Sequence, residues 1–257
     1  MREEDRWRFD PALDRARVAA YAPGAFVGQE GFMTAAEIVA LAAQAGVGPG
    51  VSVLDVCCGA GGPGRFVTRQ LGCDYLGVDD SPRAVTLGRE RTNGEGCRFA
   101  LAQVPPLPAG SFDVVLLLEA FLAFKDKDAL VRGVAAALRP GGRFAFTVEA
   151  GPPLTAAEQA AMPAAGSVVP VPLDELTACL ARAGLVVTWQ EDRSAAHASM
   201  AQTLAGAFAA NAEDVAKQIG RSTLEYLQAT HGLWSRWLEE GRMRKFAVVA
   251  AKSGGAT

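Results

Sequence analysis

Twelve consecutive residues constrain this chain more than any others: Val53-Leu54-Asp55-Val56-Cys57-Cys58-Gly59-Ala60-Gly61-Gly62-Pro63-Gly64. An apolar, β-branched run passes directly into a glycine-rich turn and then into a stretch compatible with a helix. Glycine has no Cβ and adopts positive φ, so such a turn lets backbone approach a nucleoside-like ligand closely and presents free N–H groups at a helix start. Gly59-x-Gly61-x-x-Gly64 satisfies the spacing of a dinucleotide fingerprint. Taken alone, the same spacing also describes a plain strand-to-helix turn. Asp79 adds weight: it closes the next strand, 18 residues after Gly61, where a carboxylate can accept hydrogen bonds from ribose hydroxyls.

Around this turn the chain alternates. Short apolar runs at 51–56, 74–79, 98–102, 112–119, 143–149, 185–190 and 245–252 predict seven strands, and helices are expected near 34–45, 62–71, 81–91, 127–138 and 173–183. Strand and helix in strict alternation imply a doubly wound α/β fold, with a mostly parallel seven-stranded sheet covered on both faces. Residues 193–241 break the alternation. Met200, Leu204 and Phe208, then Val215 and Ile219, then Leu233, Trp234 and Trp237, have the spacing of amphipathic helices laid over an apolar surface. The expected organisation is therefore a lead-in or lid over 1–36, a Rossmann-like core over 37–192 and 242–257, and a helical cap over 193–241. The tail SGGAT is expected to fray.

Composition removes several function classes. Half of the residues are hydrophobic, 21% are charged and the formal net charge is −3, so no basic excess marks nucleic acid as a partner. The longest apolar runs, such as 114–118, fall far short of the roughly 20 residues of a membrane span, and MREEDRWRFD has no secretory apolar core, which makes the cytoplasm the expected compartment. The five cysteines, Cys57, Cys58, Cys73, Cys97 and Cys179, are odd in number and two are adjacent, so reduced thiols are expected. With only His197 and His231, and no C-x-x-C or H-x-x-x-H spacing, no metal site is expected. Small molecules remain the favoured substrates.

The segments VLDVCCGAG (53–61), LGVDDSP (76–82), LP-x-x-SFDVV (107–115) and LRPGG (138–142) recur in this order and at similar spacing in one family. In them the chain resembles the class I S-adenosylmethionine-dependent methyltransferases, over about residues 40–190 and the last strand. Asp55 before the glycines and the RPGG turn before the fifth strand do not belong to the dehydrogenase pattern. By position, the resemblance implies S-adenosylmethionine as cofactor. Cys57, Gly59, Ala60 and Gly61 would line its aminoacyl end, Asp55 would order the loop and Asp79 would hold the ribose. Asp80 would touch the adenine side, Ser81 would only cap the next helix, Gln103 would accept from the adenine amino group, Val104 would offer a backbone N–H and Glu119 would lie beneath the sulfonium. Cys57 replaces the family's usual glycine and narrows the room beside the methionine part.

Transfer of a methyl group by in-line displacement needs a positioned nucleophile, an excluded solvent and, for a hydroxyl, a proton acceptor. His197 opens the cap and titrates near neutrality when unperturbed; it is the candidate base, with Asp192 or Glu149 to orient it. Glu149 ends the fifth strand, where side chains face the site. Tyr21 and Gln29 in the lead-in are candidates to close over the cofactor, although Phe26, Phe32 and Met33 there also read as simple anchors on the core. His231 reads as packing around Trp234. These residues predict a small-molecule methyltransferase acting on O, N or C atoms. The runner-up is a related protein that binds S-adenosylmethionine without methyl transfer, as a cyclase or regulatory binder. A nicotinamide-dependent oxidoreductase lacks its Tyr-x-x-x-Lys helix here.

Overall fold

The computed structural model describes residues 8–92, 96–108, 111–162 and 168–254. Parts of three motifs fall elsewhere: residues 109–110 of the LP-x-x-SFDVV segment, the first seven residues, and 255–257 of the tail lie outside the described residues. Seven strands form one sheet: β1 (Ser52–Val56), β2 (Asp74–Asp79), β3 (Cys97–Leu101), β4 (Phe112–Leu117), β5 (Leu138–Ala150), β6 (Leu185–Asp192) and β7 (Arg244–Lys252). Their order is β3-β2-β1-β4-β5-β7-β6. The first five strands pair in parallel, and β7 inserts antiparallel between β5 and β6. The direction of winding reverses at β1, between β2 and β4, which is where sheets of this kind open a crevice for ligands at their carboxyl ends.

Period-two patterning builds the layers. Val53, Val114 and Leu116 face one side, where they meet Ile38 and Leu41 of α2 (Ala35–Gln44), Val67 of α3 (Gly62–Leu71) and Val85 of α4 (Pro82–Glu90). Leu54, Val56, Val115 and Leu117 face the other, against Leu130 and Val134 of α5 (Lys127–Ala137) and Leu176 and Leu180 of α7 (Leu173–Arg182). These five helices coincide with those expected from the alternation. The sheet differs in one place: β5 starts at Leu138 rather than 143, because LRPGG is itself extended and reaches the ladder through a register shift against β4.

Two helices were not anticipated. The lead-in contains α1 (Pro11–Ala20), capped by Asp10 accepting from the Ala12 N–H, and α6 (Ala156–Ala161) follows β5 behind a Thr155/Glu158 capping box. Residues 194–239 form α8 (Ser194–Ala210), α9 (Ala212–Ile219) and α10 (Arg221–Glu239). Leu204, Phe208, Val215, Leu224 and Trp234 from these helices join Leu13 of α1, Tyr21 and Phe32 in a second apolar core, separate from the sheet's own. The lead-in is thus part of the same apolar body as the cap helices. No helix among the described residues is long and apolar enough to cross a membrane.

Gly64, on the first turn of α3, shows how closely helix and sheet approach beside the glycine turn. A Cβ there would lie 2.0 Å from Cζ of Tyr75, a residue with 0% exposure whose hydroxyl donates to Asp55 Oδ2 at 2.6 Å. Gly64→Ala therefore has to displace a buried ring. Overpacking of that kind costs about 1–3 kcal/mol and is expected to lower Tm by roughly 5 °C in thermal unfolding followed by circular dichroism.

Candidate active site

The glycine turn is held by its own backbone and by one carboxylate. Cys57, Gly59 and Gly61 have φ of 59°, 56° and 71°. Cys58 N–H donates to the Val78 carbonyl at 3.0 Å, which lashes the turn to the end of β2. Asp79 completes the tie: Oδ2 accepts from Gly59 N–H and Oδ1 from Ser81 N–H, each at 2.9 Å. Asp79 is 5% exposed, and burial raises its pKa although both N–H groups work to lower it. Ser81 caps α4 through Ala84 N–H, as expected. No side chain caps α3, which leaves its first-turn N–H groups to a ligand. Beneath the turn, Asp55 is buried against Tyr75. Burial, with the Asp79 charge behind it, pushes its carboxyl up to about 7 against the Tyr75 hydrogen bond.

The lead-in crosses directly over this turn. A Cβ on Gly62 would lie 2.1 Å from the Val27 carbonyl oxygen, and one on Gly59 would lie 3.2 Å from Glu30 Oε1. The next residue, Gly31, would strike Glu119, whose Cγ would be 2.3 Å from an added Cβ. Two successive lead-in residues therefore bridge the glycine turn and the end of β4. Glu119 sits at a φ of 59°, a strained conformation for a side-chain-bearing residue. Its N–H donates to Thr147 Oγ1 at 2.8 Å, its Oε1 accepts from the Thr147 hydroxyl at 2.9 Å, and its Oε2 accepts from Phe32 N–H at 3.0 Å.

Lys245 completes this group. It is fully buried, with Nζ 2.7 Å from Glu119 Oε1 and 2.5 Å from Glu149 Oε1. Burial works to raise the Glu119 carboxyl, but the Lys245 ammonium, His197 and the Phe32 N–H together outweigh it and bring the pKa down to about 2. Glu149 thus belongs to a salt-bridged cluster and does not orient His197. Lys245 escaped the sequence reading, yet a signal existed: a lysine at the head of an apolar strand, directly opposite Glu149 in the antiparallel register.

Two other site residues are corrected by their contacts. Asp192 does not reach His197: Oδ1 accepts from Ser194 N–H and Oγ, at 2.8 and 2.5 Å, and Oδ2 pairs with Arg244 at 2.5 Å. Gln29 is 5% exposed but turns away from the site. Its amide donates to the Ala25 and Met33 carbonyls and accepts from Val27 N–H, which braces the lead-in. Tyr21 likewise donates to the Gly31 carbonyl at 2.7 Å and holds that loop in place. At the adenine side, Asp80 and Gln103 are exposed, while Val104 packs against the sheet core.

His197 is buried, 1% exposed, and approaches Glu37 Oε1 at 3.5 Å through Nε2. Phe32 lies edge-on between the two histidines, 6.1 Å from the His197 ring and 5.7 Å from that of His231. Burial lowers the His231 pKa to about 4, and its Nδ1 is bonded to the Leu227 carbonyl, so it is a neutral packing residue as expected. Burial also pushes the Cys57 thiol up to about 12, and all five cysteines are free thiols.

Residues 54–146 match the family model of a methyltransferase domain. Over those residues the chain is similar to methyltransferase domains, which supports the class I S-adenosylmethionine-dependent type. A curated relative, methyltransferase GfsG of Streptomyces halstedii, is 36% identical over 106 residues, which is 39% of this chain and 38% of that protein. This and other such relatives are matched over only 30–38% of their own length. The fold extends further. Mycolic acid cyclopropane synthase CmaA1, solved with S-adenosylhomocysteine, superposes with a TM-score of 0.82 at 13% identity, covering 98% of this chain and 99% of that one. The [4+2]-cyclase SpnF gives 0.77 at 21% identity, covering 98% and 95%. S-adenosylmethionine is the family's cofactor, and the residues present fit it: an uncapped helix start behind a turn with three positive-φ residues suits a carboxylate, and the Asp79 oxygens retain lone pairs for ribose hydroxyls.

Two outcomes follow from the buried charges. Because the folded-state pKa of Asp55 is raised, its contribution to stability is present below pH 4 and is lost as pH rises towards 7. Asp55→Asn keeps an acceptor for Tyr75 and is expected to gain on wild type over that window, by up to about 4 kcal/mol in urea titrations at pH 4 and pH 7. Lys245→Met leaves two buried carboxylates without a counter-charge and is expected to cost about 3–5 kcal/mol, with much of the loss recovered in Glu149→Gln/Lys245→Met.

Proposed function

We propose that this chain is an S-adenosylmethionine-dependent methyltransferase that methylates an O, N or C atom of an apolar small molecule, such as a cytoplasmic natural-product intermediate. The observation that carries the reading is the closed glycine turn: Gly59 and Ser81 N–H groups gathered on Asp79 at the point where the sheet changes direction, with the lead-in across the top. The cofactor, when bound, supplies an activated methyl group. The protein's share is placement. The turn and Asp79 hold the nucleoside and aminoacyl parts, and the Lys245-anchored Glu119 presents a carboxylate at the end of β4. The lead-in excludes water through Gly31 and Phe32.

Phe32 and Tyr21 pack with Leu204, Phe208, Leu224 and Trp234 of the cap helices in one apolar body, which this reading takes as the wall of the acceptor side. That wall supports an acceptor with a hydrocarbon or aromatic body, and the mycolic acid named for CmaA1 is of that kind. Arginine outnumbers lysine 20 to 5, a composition of GC-rich genomes, which together with the Streptomyces relative supports natural-product metabolism. His197 is the proton acceptor of this reading, and Asp192 has no part in it. The fold shared with SpnF keeps a second reading in play, a cyclase that holds the cofactor without transferring its methyl group.

Binding separates these readings from unrelated ones, and turnover separates them from each other. S-adenosylhomocysteine at about 100 times its Kd is expected to stabilise the folded state by about 2.7 kcal/mol, a rise of roughly 5–10 °C in Tm, while NAD at the same concentration leaves Tm unchanged. Asp79→Ala removes the acceptor of both loop N–H groups and is expected to weaken S-adenosylhomocysteine at least tenfold by calorimetry. Formation of S-adenosylhomocysteine with an apolar hydroxyl or amine acceptor identifies the methyltransferase. Cofactor binding without turnover across such acceptors favours the cyclase.

A further inference from the structure

Neither ring nitrogen of His197 has a hydrogen-bond partner although the side chain is 1% exposed, and Arg193 Nε beside it is equally unpartnered. Buried polar atoms left unpaired are costly, so a group in this state points to something that the site takes up. Next to it lies an enclosed cavity of about 10 Å³, bounded by Glu37, Arg193, His197 and Thr147 with Met33 and Leu41 as apolar walls. That is room for a single water molecule. Glu37 Oε1 faces this space, 3.5 Å from His197 Nε2 and 3.7 Å from Arg193 Nη1.

Glu37 is held there by α2. Its Oε2 accepts from Thr34 N–H at 2.7 Å and from Thr34 Oγ1 at 3.0 Å, the reciprocal arrangement of a capping box, which leaves Oε1 free to face the imidazole. A carboxylate needed only to cap a helix has no reason to be turned inward, yet this side chain is 12% exposed. Burial pushes the Glu37 carboxyl up, but His197 and the Thr34 N–H outweigh it and keep it below the usual range. On its other side His197 abuts Phe32, whose own N–H is bonded to Glu119 beyond the end of β4.

We propose that Glu37 is the positioning residue of His197: its Oε1, 3.5 Å from Nε2, keeps the proton on that nitrogen and leaves the Nδ1 lone pair for the methyl acceptor. The inference rests on the methyltransferase reading for an acceptor bearing O–H or N–H. In the transfer step the acceptor's O–H or N–H bond breaks and its proton goes to Nδ1. The electron pair stays on the acceptor atom and forms the bond to the methyl carbon. The resulting imidazolium, with Nε2–H still turned to the Glu37 carboxylate, later returns the proton to water. The arrangement follows the logic by which a carboxylate fixes the tautomer of a catalytic histidine.

The chain has only two histidines, which makes the test direct. Full-length protein labelled with ¹⁵N-histidine shows two imidazole spin systems, and His231→Gln assigns them. Wild type is expected to hold His197 in the Nε2–H form, with Nδ1 resonating as an unprotonated nitrogen. Glu37→Gln preserves the capping box, since glutamine serves at that position as well as glutamate, so α2 stays folded while the charge is lost. In that variant the Nε2–H preference is expected to fall at least tenfold, and kcat for an O–H acceptor with it, while S-adenosylhomocysteine affinity stays within twofold of wild type. Glu37→Asp is expected to restore part of the preference. An Nδ1–H tautomer in wild type, or a preference unchanged in Glu37→Gln, overturns the proposal. Failure of wild type to bind S-adenosylhomocysteine overturns the methyltransferase reading instead, and the tautomer result is read independently of it.

Discussion

Lys245 holds together the part of the molecule on which the site depends. Its ammonium joins Glu149 at the end of β5 to Glu119 beyond the end of β4, and Glu119 in turn receives the Phe32 N–H of the lead-in. Two strand ends, an antiparallel third strand and a crossing loop thus meet at one fully buried cation. Taking three charges out of water costs several kcal/mol per ion, and mutual attraction offsets this only when the remaining polar atoms are satisfied. Here Thr147 and Phe32 supply those contacts. Clusters of this type add little net stability compared with apolar residues of equal volume. What this one provides is a fixed position for a carboxylate whose backbone conformation, at positive φ, the chain does not hold unaided.

From that position the geometry of the glycine turn follows. Gly31 fits over Glu119 and Gly62 fits under the Val27 carbonyl only because neither carries a Cβ. The lead-in is therefore not a loose strap laid over a finished domain. It interlocks with the turn on one side and with the buried charge cluster on the other, and Tyr21 and Gln29 spend their polar groups on holding its shape. Tyr21 and Gln29, expected to close over the cofactor, bond the backbone of the loop that crosses the glycine turn.

The division between what was legible and what was not has a physical basis. Val53, Leu54, Val114 and Val115 alternate between two cores, so strand periodicity reports the sheet directly, and the loop chemistry of Gly59, Asp79 and Ser81 is local enough to be read from spacing. The partners of His197 are not local. Asp192 is five residues away in sequence, but a carboxylate next to Ser194 at a helix start, with Arg244 across the ladder, is already used. Glu37, which does face His197, lies 160 residues earlier on a different helix, where its pattern Thr34-x-x-Glu37 reads only as a helix cap. Long-range pairing of this sort leaves no periodic trace.

The two histidines show why burial alone does not assign a role. Both border Phe32, His197 fully buried and His231 half-buried beside the same apolar body. His231 has its Nδ1 bonded to the carbonyl one turn back, and desolvation lowers its pKa to about 4, so it stays neutral and serves as a ring among rings. His197 has two open nitrogens, a carboxylate at 3.5 Å and a polar cell beside it. The difference comes from what meets each ring: His231 is bonded to the backbone of its own helix and packed by Phe32 and Phe208, whereas α2 brings Glu37 against α8. A chain that needed only to fill space there would place an apolar residue at 197, as it does at Ala198 and Ala201 on the same helix.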